Sequence, residues 1–464
     1  MLLRLSRPLV KRRSVPALGT VVVLALLPLF EASAPADAET PAAPGRFSDQ
    51  PNLTWGTSHA DKGDRRAGKV WNIIEAGPHV YFGGEFTGVV PPSVKVGSDE
   101  GLLAKPYLVR LDIASGEVDG SWSPDPDGFV RGLAVSPDGR RLYVGGSFNR
   151  IDGQRARNLV AFDLDTGRLD TAFAAPHLNT GVRSLALSPD GRILYAGGGF
   201  AAVRVPPGRP NAGERSRPLV AAFDAHTGAL LDWKGPEKKP GKYGPKGQST
   251  RSDGDGDVYW LTATRNGERL YAGGTFMNFG GEDGLVSIDA GTGKATDWQP
   301  SDEGCSTGKS TCRPFYGIAL HPDDDDSFYA TGDGFGGVAI SFTYGKSPRG
   351  NWQVATDGGG HAVVATRDVV YIGGHWDCAG TPKCDIGNDA DESFRRHLAA
   401  LDPATGAVLA GWKPEANTRT GPYMAYLGAD HLYVGGEFSR INERPQPGIV
   451  RFPRQPAATA AGSS

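Results

Sequence analysis

The sequence predicts an all-β fold, namely a seven-bladed β-propeller of four-stranded blades whose ring is closed by an N-terminal strand. Three observations predict it: a unit of short strands that occurs seven times, turn residues at fixed offsets in most units, and a spare strand at the start of the chain. The 66 glycines and 35 prolines among 464 residues fit a chain with many tight turns.

The repeat is clearest in two segments, FVRGLAVSPDGRRLYVGGSF…NLVAFDLDTGRLDTAF and GVRSLALSPDGRILYAGGGF…PLVAAFDAHTGALLDW. A Pro-Asp-Gly turn joins the first two strands, and an Asp-x-x-Thr-Gly turn joins the last two. The second-strand tyrosine recurs in all units, at Tyr81, Tyr143, Tyr195, Tyr271, Tyr329, Tyr371 and Tyr433. A fourth-strand aromatic recurs in six, at Trp122, Phe173, Trp233, Trp298, Trp352 and Trp412.

The last unit stops after its third strand, at IVRF, and lacks a fourth. The segment Asn52-Leu53-Thr54-Trp55 supplies a strand with the missing aromatic, so we expect it to close the ring as the outer strand of the last blade. An open solenoid is the alternative, but it would not need a displaced strand.

The N-terminal residues of the chain predict export. Residues 1–38 read as a signal peptide, with a basic start, an apolar run from Val15 to Phe30 and small residues before a preferred cleavage after Ala38. An uncleaved anchor is the alternative, and the choice between general and twin-arginine export is open. We expect residues 39–50 to be a flexible segment, residues 51–453 the propeller and residues 454–464 a disordered tail.

The four cysteines form two close pairs, Cys305/Cys312 and Cys378/Cys384. Neither pair has the ligand spacing of a structural zinc site, and in an oxidising compartment we expect each to close a local disulfide. A formal net charge of −3 gives no drive toward nucleic acid. We therefore expect a secreted, extracellular monomer that contacts neither nucleic acid nor, after cleavage, a membrane.

The units of the form LYVGGSF…NLVAFDLDTG…F resemble the delta-60 repeat of secreted actinobacterial β-propellers. The resemblance covers roughly residues 50–453. It implies the propeller fold, and it implies no known reaction.

One face of the predicted propeller carries the long insertions, at 87–106, 202–218, 235–257, 301–313 and 377–396, which indicates a functional face. The residues expected to ring the channel mouth there, and to bind ligand, are Trp71, Arg131, Arg183, Tyr259, Tyr316, His361 and Tyr423 where first strands begin, with His375 at the end of a second strand. Aromatic rings stack on sugars and arginine binds carboxylates, which favours a polar, anionic ligand. The alternative is that these residues merely cap a water-filled channel.

Two further groups suggest chemistry. His375 beside Asp377 could act as an acid/base pair or as metal ligands. Asp253, Asp255 and Asp257 resemble the start of a calcium loop, although Thr264 at the twelfth position excludes an EF-hand. We assign no catalytic residue and no cofactor other than possible calcium.

The leading interpretation is non-catalytic binding of an extracellular protein or glycan through the insertion-rich face. An extracellular enzyme of polysaccharide-cleaving or quinone type is the alternative, and a purely structural envelope protein is a third class. A carboxylate, His361 or His375 within hydrogen-bond reach of Arg131, Arg183 or a mouth tyrosine would favour chemistry.

Overall fold

A computed structural model of the protein describes residues 46–59, 67–238, 256–276, 278–298, 314–333, 337–347, 350–381, 383–384, 391 and 393–455. All regular secondary structure in these ranges is β-strand. No helix there has the length and apolar character needed to cross a bilayer. The predicted signal peptide, Asp253, Asp255, Cys305 and Cys312 lie outside the described residues.

In chain order the first strands are β1 Gly56–Ser58, β2 Lys69–Ala76, β3 His79–Glu85, β4 Gly88–Val90, β5 Leu103–Ala104, β6 Leu108–Asp112, β7 Val130–Val135, β8 Arg141–Gly146, β9 Arg150–Ile151, β10 Gln154–Arg155, β11 Leu159–Asp163, β12 Arg168–Leu169, β13 His177–Leu178, β14 Val182–Leu187, β15 Ile193–Gly198, β16 Ala202–Val205, β17 Gly213–Ser216, β18 Val220–Asp224 and β19 Leu230–Lys234. The remaining strands are β20 Val258–Ala263, β21 Arg269–Gly274, β22 Leu285–Asp289, β23 Phe315–His321, β24 Asp324–Gly332, β25 Val338–Thr343, β26 Trp352–Ala355, β27 Gly360–Ala365, β28 Val370–Gly374, β29 Leu398–Leu401, β30 Pro422–Leu427, β31 His431–Gly436, β32 Arg440–Ile441, β33 Arg444–Pro445 and β34 Ile449–Pro453.

Most strands of the described ranges belong to seven antiparallel sheets, here sheets 1 to 7: β2-β3-β6, β7-β8-β11-β12, β14-β15-β18-β19, β20-β21-β22, β23-β24-β25-β26, β27-β28-β29 and β30-β31-β34. The remaining strands form two further three-stranded sheets, β1-β4-β5 and β13-β16-β17, and the hairpins β9-β10 and β32-β33. Sheets 2, 3 and 5 have the four strands expected from the sequence, whereas sheets 1, 4, 6 and 7 have three. In sheets 1, 4 and 6 a single bridge stands where a fourth strand was expected, at Leu111–Val118, Ile288–Ala295 and Leu401–Val408.

The first strands of the seven sheets contact one another in chain order, β2, β7, β14, β20, β23, β27 and β30, and β30 in turn contacts β2. A glycine pair at the end of the second strand permits this approach in six of the seven sheets, and Thr331-Gly332 replaces the pair in sheet 5. In sheet 2, a Cβ on Gly145 would lie 2.6 Å from Val182 of the next first strand, and one on Gly146 would lie 2.0 Å from the Phe129 carbonyl oxygen. Both contacts are too short for a side chain, so the pair is required by packing rather than by backbone dihedrals.

The fourth-position tryptophans link neighbouring sheets through their indole N–H groups. Trp122 donates to the Gly167 carbonyl in the Asp-x-x-Thr-Gly turn of sheet 2, at 3.0 Å. The same contact with the following unit recurs at Trp233–Ala290, Trp298–Lys346 and Trp352–Pro403. These long-range bonds explain why an aromatic with a donor recurs at this position.

The N-terminal segment lies against sheet 7. Asn52 forms a bridge with Arg451 of β34, and Phe47 forms a bridge with Arg454 while its ring is buried. Trp412 donates its indole N–H to the Ser48 carbonyl at 3.2 Å. The part of the expected flexible segment that the structure describes, from residue 46, is therefore paired and packed.

Two contacts continue from this segment to sheet 1. Trp55 donates its indole N–H to Glu117 at 2.8 Å, beyond the turn of sheet 1. The Thr54 hydroxyl donates to the Gly116 carbonyl at 3.1 Å. The segment thus joins the last sheet to the first.

Cys378 and Cys384 form a disulfide, with their Cα atoms 5.7 Å apart. This confirms the local pairing expected for these two residues. The pair lies in the 377–396 insertion between the second and third strands of sheet 6.

Candidate functional site

A β-bulge positions every side chain of the predicted first-strand column. The register of β7 against β8 shifts between Val130 and Gly132, so Arg131 is the unpaired residue between them. Equivalent shifts skip Trp71, Arg183, Tyr259, Tyr316, His361 and Tyr423. Because a bulge re-aims the unpaired side chain, seven consecutive sheets can direct one residue each to a common space.

These seven residues all line one cavity of about 390 Å³, which we call the mouth cavity. The structure therefore brings together seven of the eight predicted ligand-binding residues, and the eighth, His375, contacts His361. The lining also includes Lys69, Asn72, Glu85 and Trp260, which the sequence did not single out as ligand-binding residues. Lys69 and Asn72 lie close to the bulge at Trp71, and their closeness to Trp71 in the sequence could have identified them as lining residues.

Arg131 lies on the wall of the mouth cavity, with its guanidinium carbon 3.6 Å from the centroid of the Trp71 ring. Burial, reinforced by the nearby charge of Arg183, lowers the pKa of Arg131 to about 10. Glu85 and Asp257 lie near enough to raise this pKa in part, but among the described residues they form their ion pairs with Lys69 and Arg183. Arg131 is therefore a half-buried cation held by an aromatic face.

Arg183 differs from Arg131 because it has a carboxylate partner. Its guanidinium donates to Asp257 at 2.8 Å and lies 4.6 Å from the Tyr259 ring centroid. The sequence suggested Asp257 as a calcium ligand, whereas the structure pairs it with an arginine. In the described part of the chain no three His, Cys, Asp or Glu side chains are grouped to hold a metal ion.

Near the bulge at Trp71, a lysine lies between two glutamates. Lys69 is 3.3 Å from Glu85 and 4.0 Å from Glu437. The Tyr423 hydroxyl donates to the same Glu437 at 3.3 Å. Burial, together with the charge of Glu437, raises the pKa of Tyr423 to about 12, so this phenol remains protonated at neutral pH.

His361, which lines the mouth cavity, is hydrogen-bonded to His375, which is not among the lining residues. The Gly359 N–H donates to Nε2 of His375 at 3.0 Å, so this nitrogen carries no proton. Nδ1 of His375 then donates to Nε2 of His361 at 2.9 Å. Both nitrogens of His375 are occupied in this way, and the acid/base pair with Asp377 suggested by the sequence is not formed.

His361 is partly buried and stacks on Tyr316, with ring centroids 4.9 Å apart. Burial, together with the neighbouring His375, lowers the pKa of His361 to about 4. Burial raises the pKa of Tyr316 to about 12. Both rings are therefore uncharged at neutral pH and offer stacking surface and hydrogen bonds rather than charge.

The sheets, the recurring glycine pairs and the ring of bulged residues define an all-β protein, and comparison with known families supports the β-propeller class. Residues 137–173, which span one repeat unit without its first strand, match a family described as a β-propeller domain of unknown function, DUF5122. No curated protein matches the chain.

Solved structures similar to the chain share low sequence identity with it. A chain of a mitotic checkpoint complex is 12% identical with a TM-score of 0.47, over 94% of this chain and 99% of its own. The U3-55K structure is 11% identical with a TM-score of 0.49, over 86% and 100%. The Cps50 (Swd1) β-propeller domain of Myceliophteria thermophila is 14% identical with a TM-score of 0.45, over 87% and 99%. Likeness at this level gives no information about function.

Proposed function

We propose that the chain is a secreted, non-catalytic, seven-bladed β-propeller that binds an extracellular protein or glycan at the mouth cavity. On this proposal sheets 1 to 7 are the blades, and the single bridges of sheets 1, 4 and 6 are remnants of a fourth strand. Residues 47–55 close the ring as the outer strand of the last blade. Because the ring needs no second chain to close, the protein is a monomer. The repeats belong with the delta-60 type of actinobacterial propellers.

The binding proposal rests on the environment of the Arg131 guanidinium. A half-buried guanidinium whose nearby carboxylates pair with other cations has lost hydration that an anionic ligand would replace. The rings of Tyr259, Tyr316 and Tyr423 line the same space and offer faces on which a sugar ring can stack. We therefore expect the ligand to carry a carboxylate or similar anionic group on a polar body.

Thermal unfolding of the secreted form, residues 39–464, tests this proposal against matched acidic and neutral sugars, small acids, calcium and a chelator. A ligand that binds the folded state raises the unfolding temperature according to its concentration relative to the dissociation constant. We expect an acidic ligand to stabilise the wild type and the control Arg140→Ala, in which an exposed arginine paired with Asp165 is removed. We expect no such shift in Arg131→Ala.

An equal shift in Arg131→Ala would refute the mouth cavity as the site. A calcium-dependent shift alone would direct attention to the 253–257 segment instead. Export has its own test, because N-terminal sequencing of the secreted form should begin at Glu39; an N-terminus near Met1 would refute cleavage.

An enzyme that cleaves polysaccharides is the second candidate, and one observation favours it. Asp257 lies within hydrogen-bond distance of Arg183, and Glu437 lies within hydrogen-bond distance of Tyr423. A carboxylate within reach of a mouth arginine or tyrosine is the arrangement that the sequence analysis took to favour chemistry. His361 adjoins this set and could relay a proton along its hydrogen bond with His375. Mass spectrometry of acidic polysaccharides incubated with wild type and His361→Ala tests it: products formed by the wild type alone would favour catalysis.

A further inference from the structure

A second cavity, separate from the mouth, is lined by residues in and next to the β9-β10 hairpin and the three-stranded sheet β13-β16-β17. It has a volume of about 410 Å³ and shares no residue with the mouth cavity. Three arginines and a histidine line it together with other residues: Arg155, Arg157, His177, Arg204, Asn179, Ala202, Val205, Pro206, Pro207 and Glu214. We call it the seam cavity.

The cationic side chains of the seam cavity come from separate parts of the chain. Arg155 ends β10, Arg157 lies two residues beyond it, His177 begins β13, and Arg204 lies in β16. Nη1 of Arg157 lies 3.2 Å from Nε2 of His177. Because an arginine can only donate, this histidine nitrogen accepts, and the ring is neutral in this arrangement.

The strand register brings these groups still closer together. His177 lies directly opposite Arg204 in the pairing of β13 with β16. Arg204 lies opposite Glu214 on its other side, and the two form an ion pair of 3.4 Å. Glu214 is the one carboxylate among the described lining residues, so the cavity carries more positive than negative charge.

The positive charges of the seam cavity repel one another and disfavour a charged form of His177. Burial lowers the pKa of His177, and the charges of Arg157, Arg155 and Arg204 lower it further. A chain with a net charge of −3 has carboxylates available, yet this cavity concentrates arginines. An anion bound among them would relieve the repulsion.

We propose that the seam cavity binds a tetrahedral oxyanion, the sulfate or phosphate group of a larger molecule. One bidentate arginine suffices for a planar carboxylate, whereas guanidinium groups from three positions can each reach a different oxygen of a tetrahedral anion. Pro206 and Pro207 provide an apolar wall for the body that carries the anion. The site is independent of the ligand proposed for the mouth cavity.

Thermal unfolding of the secreted form in sodium sulfate, sodium phosphate, sodium acetate and sodium chloride, at equal ionic strength, tests this inference. Sulfate and phosphate strengthen folding by exclusion from any protein surface, so the informative quantity is the difference between variants. In Arg157→Ala and in Arg204→Ala, we expect the same site-specific shift of the unfolding temperature to need an anion concentration about tenfold higher or more. The reason is that each variant loses a charge-assisted hydrogen bond to the anion. Arg140→Ala should behave as the wild type.

Each outcome decides the proposal. Equal sulfate-dependent shifts in wild type, Arg157→Ala and Arg204→Ala would overturn it, as would an acetate shift as large as that of sulfate. Loss of the shift in Arg131→Ala alone would overturn it too, since the anion would then occupy the mouth cavity. If Arg157→Ala does not fold, the exposed Arg155→Ala replaces it. Titration with glucose 6-sulfate and glucose 6-phosphate then shows which ester the cavity prefers.

Discussion

Replacing Gly146 by alanine is expected to destabilise the fold by about 2 kcal/mol, because the new Cβ has no space. It would lie 2.0 Å from the Phe129 carbonyl oxygen, and Cβ atoms essentially never approach closer than 3.0 Å. The carbonyl must therefore move by about 1 Å, from 2.0 to at least 3.0 Å. That movement occurs two residues before Arg131, next to the bulge that directs this side chain into the mouth cavity.

The magnitude follows from what the movement disturbs. The Phe129 carbonyl accepts the Ser147 N–H at 2.8 Å, a bond worth about 1 kcal/mol. The Phe129 ring also makes edge contacts with Trp71 and Tyr107, at centroid distances of 5.7 and 5.6 Å, each worth about 0.5–1.5 kcal/mol. The smaller entropy of an unfolded chain with alanine offsets about 0.4–1 kcal/mol of the loss.

Urea unfolding monitored by circular dichroism measures the change in the free energy of unfolding. Gly120→Ala is the matched control, since a Cβ there meets nothing within 4 Å and its φ is not in the left-handed region. We expect the control to leave stability unchanged or to raise it by up to about 1 kcal/mol. Equal stability of Gly146→Ala and Gly120→Ala would refute the steric explanation of the glycine pair.

Three further predictions concern stability. Trp412→Phe should lower the free energy of unfolding, measured in urea, by about 1 kcal/mol because it removes the 3.2 Å hydrogen bond to Ser48. In a chain lacking residues 39–50 the same substitution should leave that free energy unchanged. An equal loss in both chains would contradict the pairing of this segment with the last sheet. Burial raises the pKa of Glu282 from 4.5 to about 7, so the folded state holds a proton that the unfolded state has released between these values. Stability should therefore fall by up to about 3 kcal/mol as pH rises from 4.5 through 7, and Glu282→Gln should flatten that slope; an unchanged slope would be inconsistent with this assignment. Replacing Cys378 and Cys384 together by serine should lower the free energy of unfolding by about 2 kcal/mol, checked against the reduced wild type, which should match the variant.

The sequence alone predicted what is local to a unit. Short strands, Pro-Asp-Gly turns and Asp-x-x-Thr-Gly turns depend on neighbouring residues, so their pattern is readable without the fold. The column from Trp71 to Tyr423 was also predictable, because equivalent positions of a repeat occupy equivalent places in space. The local disulfide of Cys378 followed from spacing for the same reason.

The tertiary structure decided which individual side chains meet, both within a unit and between units. Asp257 pairs with Arg183, 74 residues away, and His375 bonds to His361 rather than to its neighbour Asp377. The burial of Phe47 could not be read from a segment whose partner, Arg454, lies at the other end of the chain. The bulges were likewise invisible in sequence, because they arise from the register between strands. Short-range turn chemistry dictates the strands and turns of a unit, whereas packing selects the contacts of side chains among many chemically allowed partners, and only the fold fixes that selection.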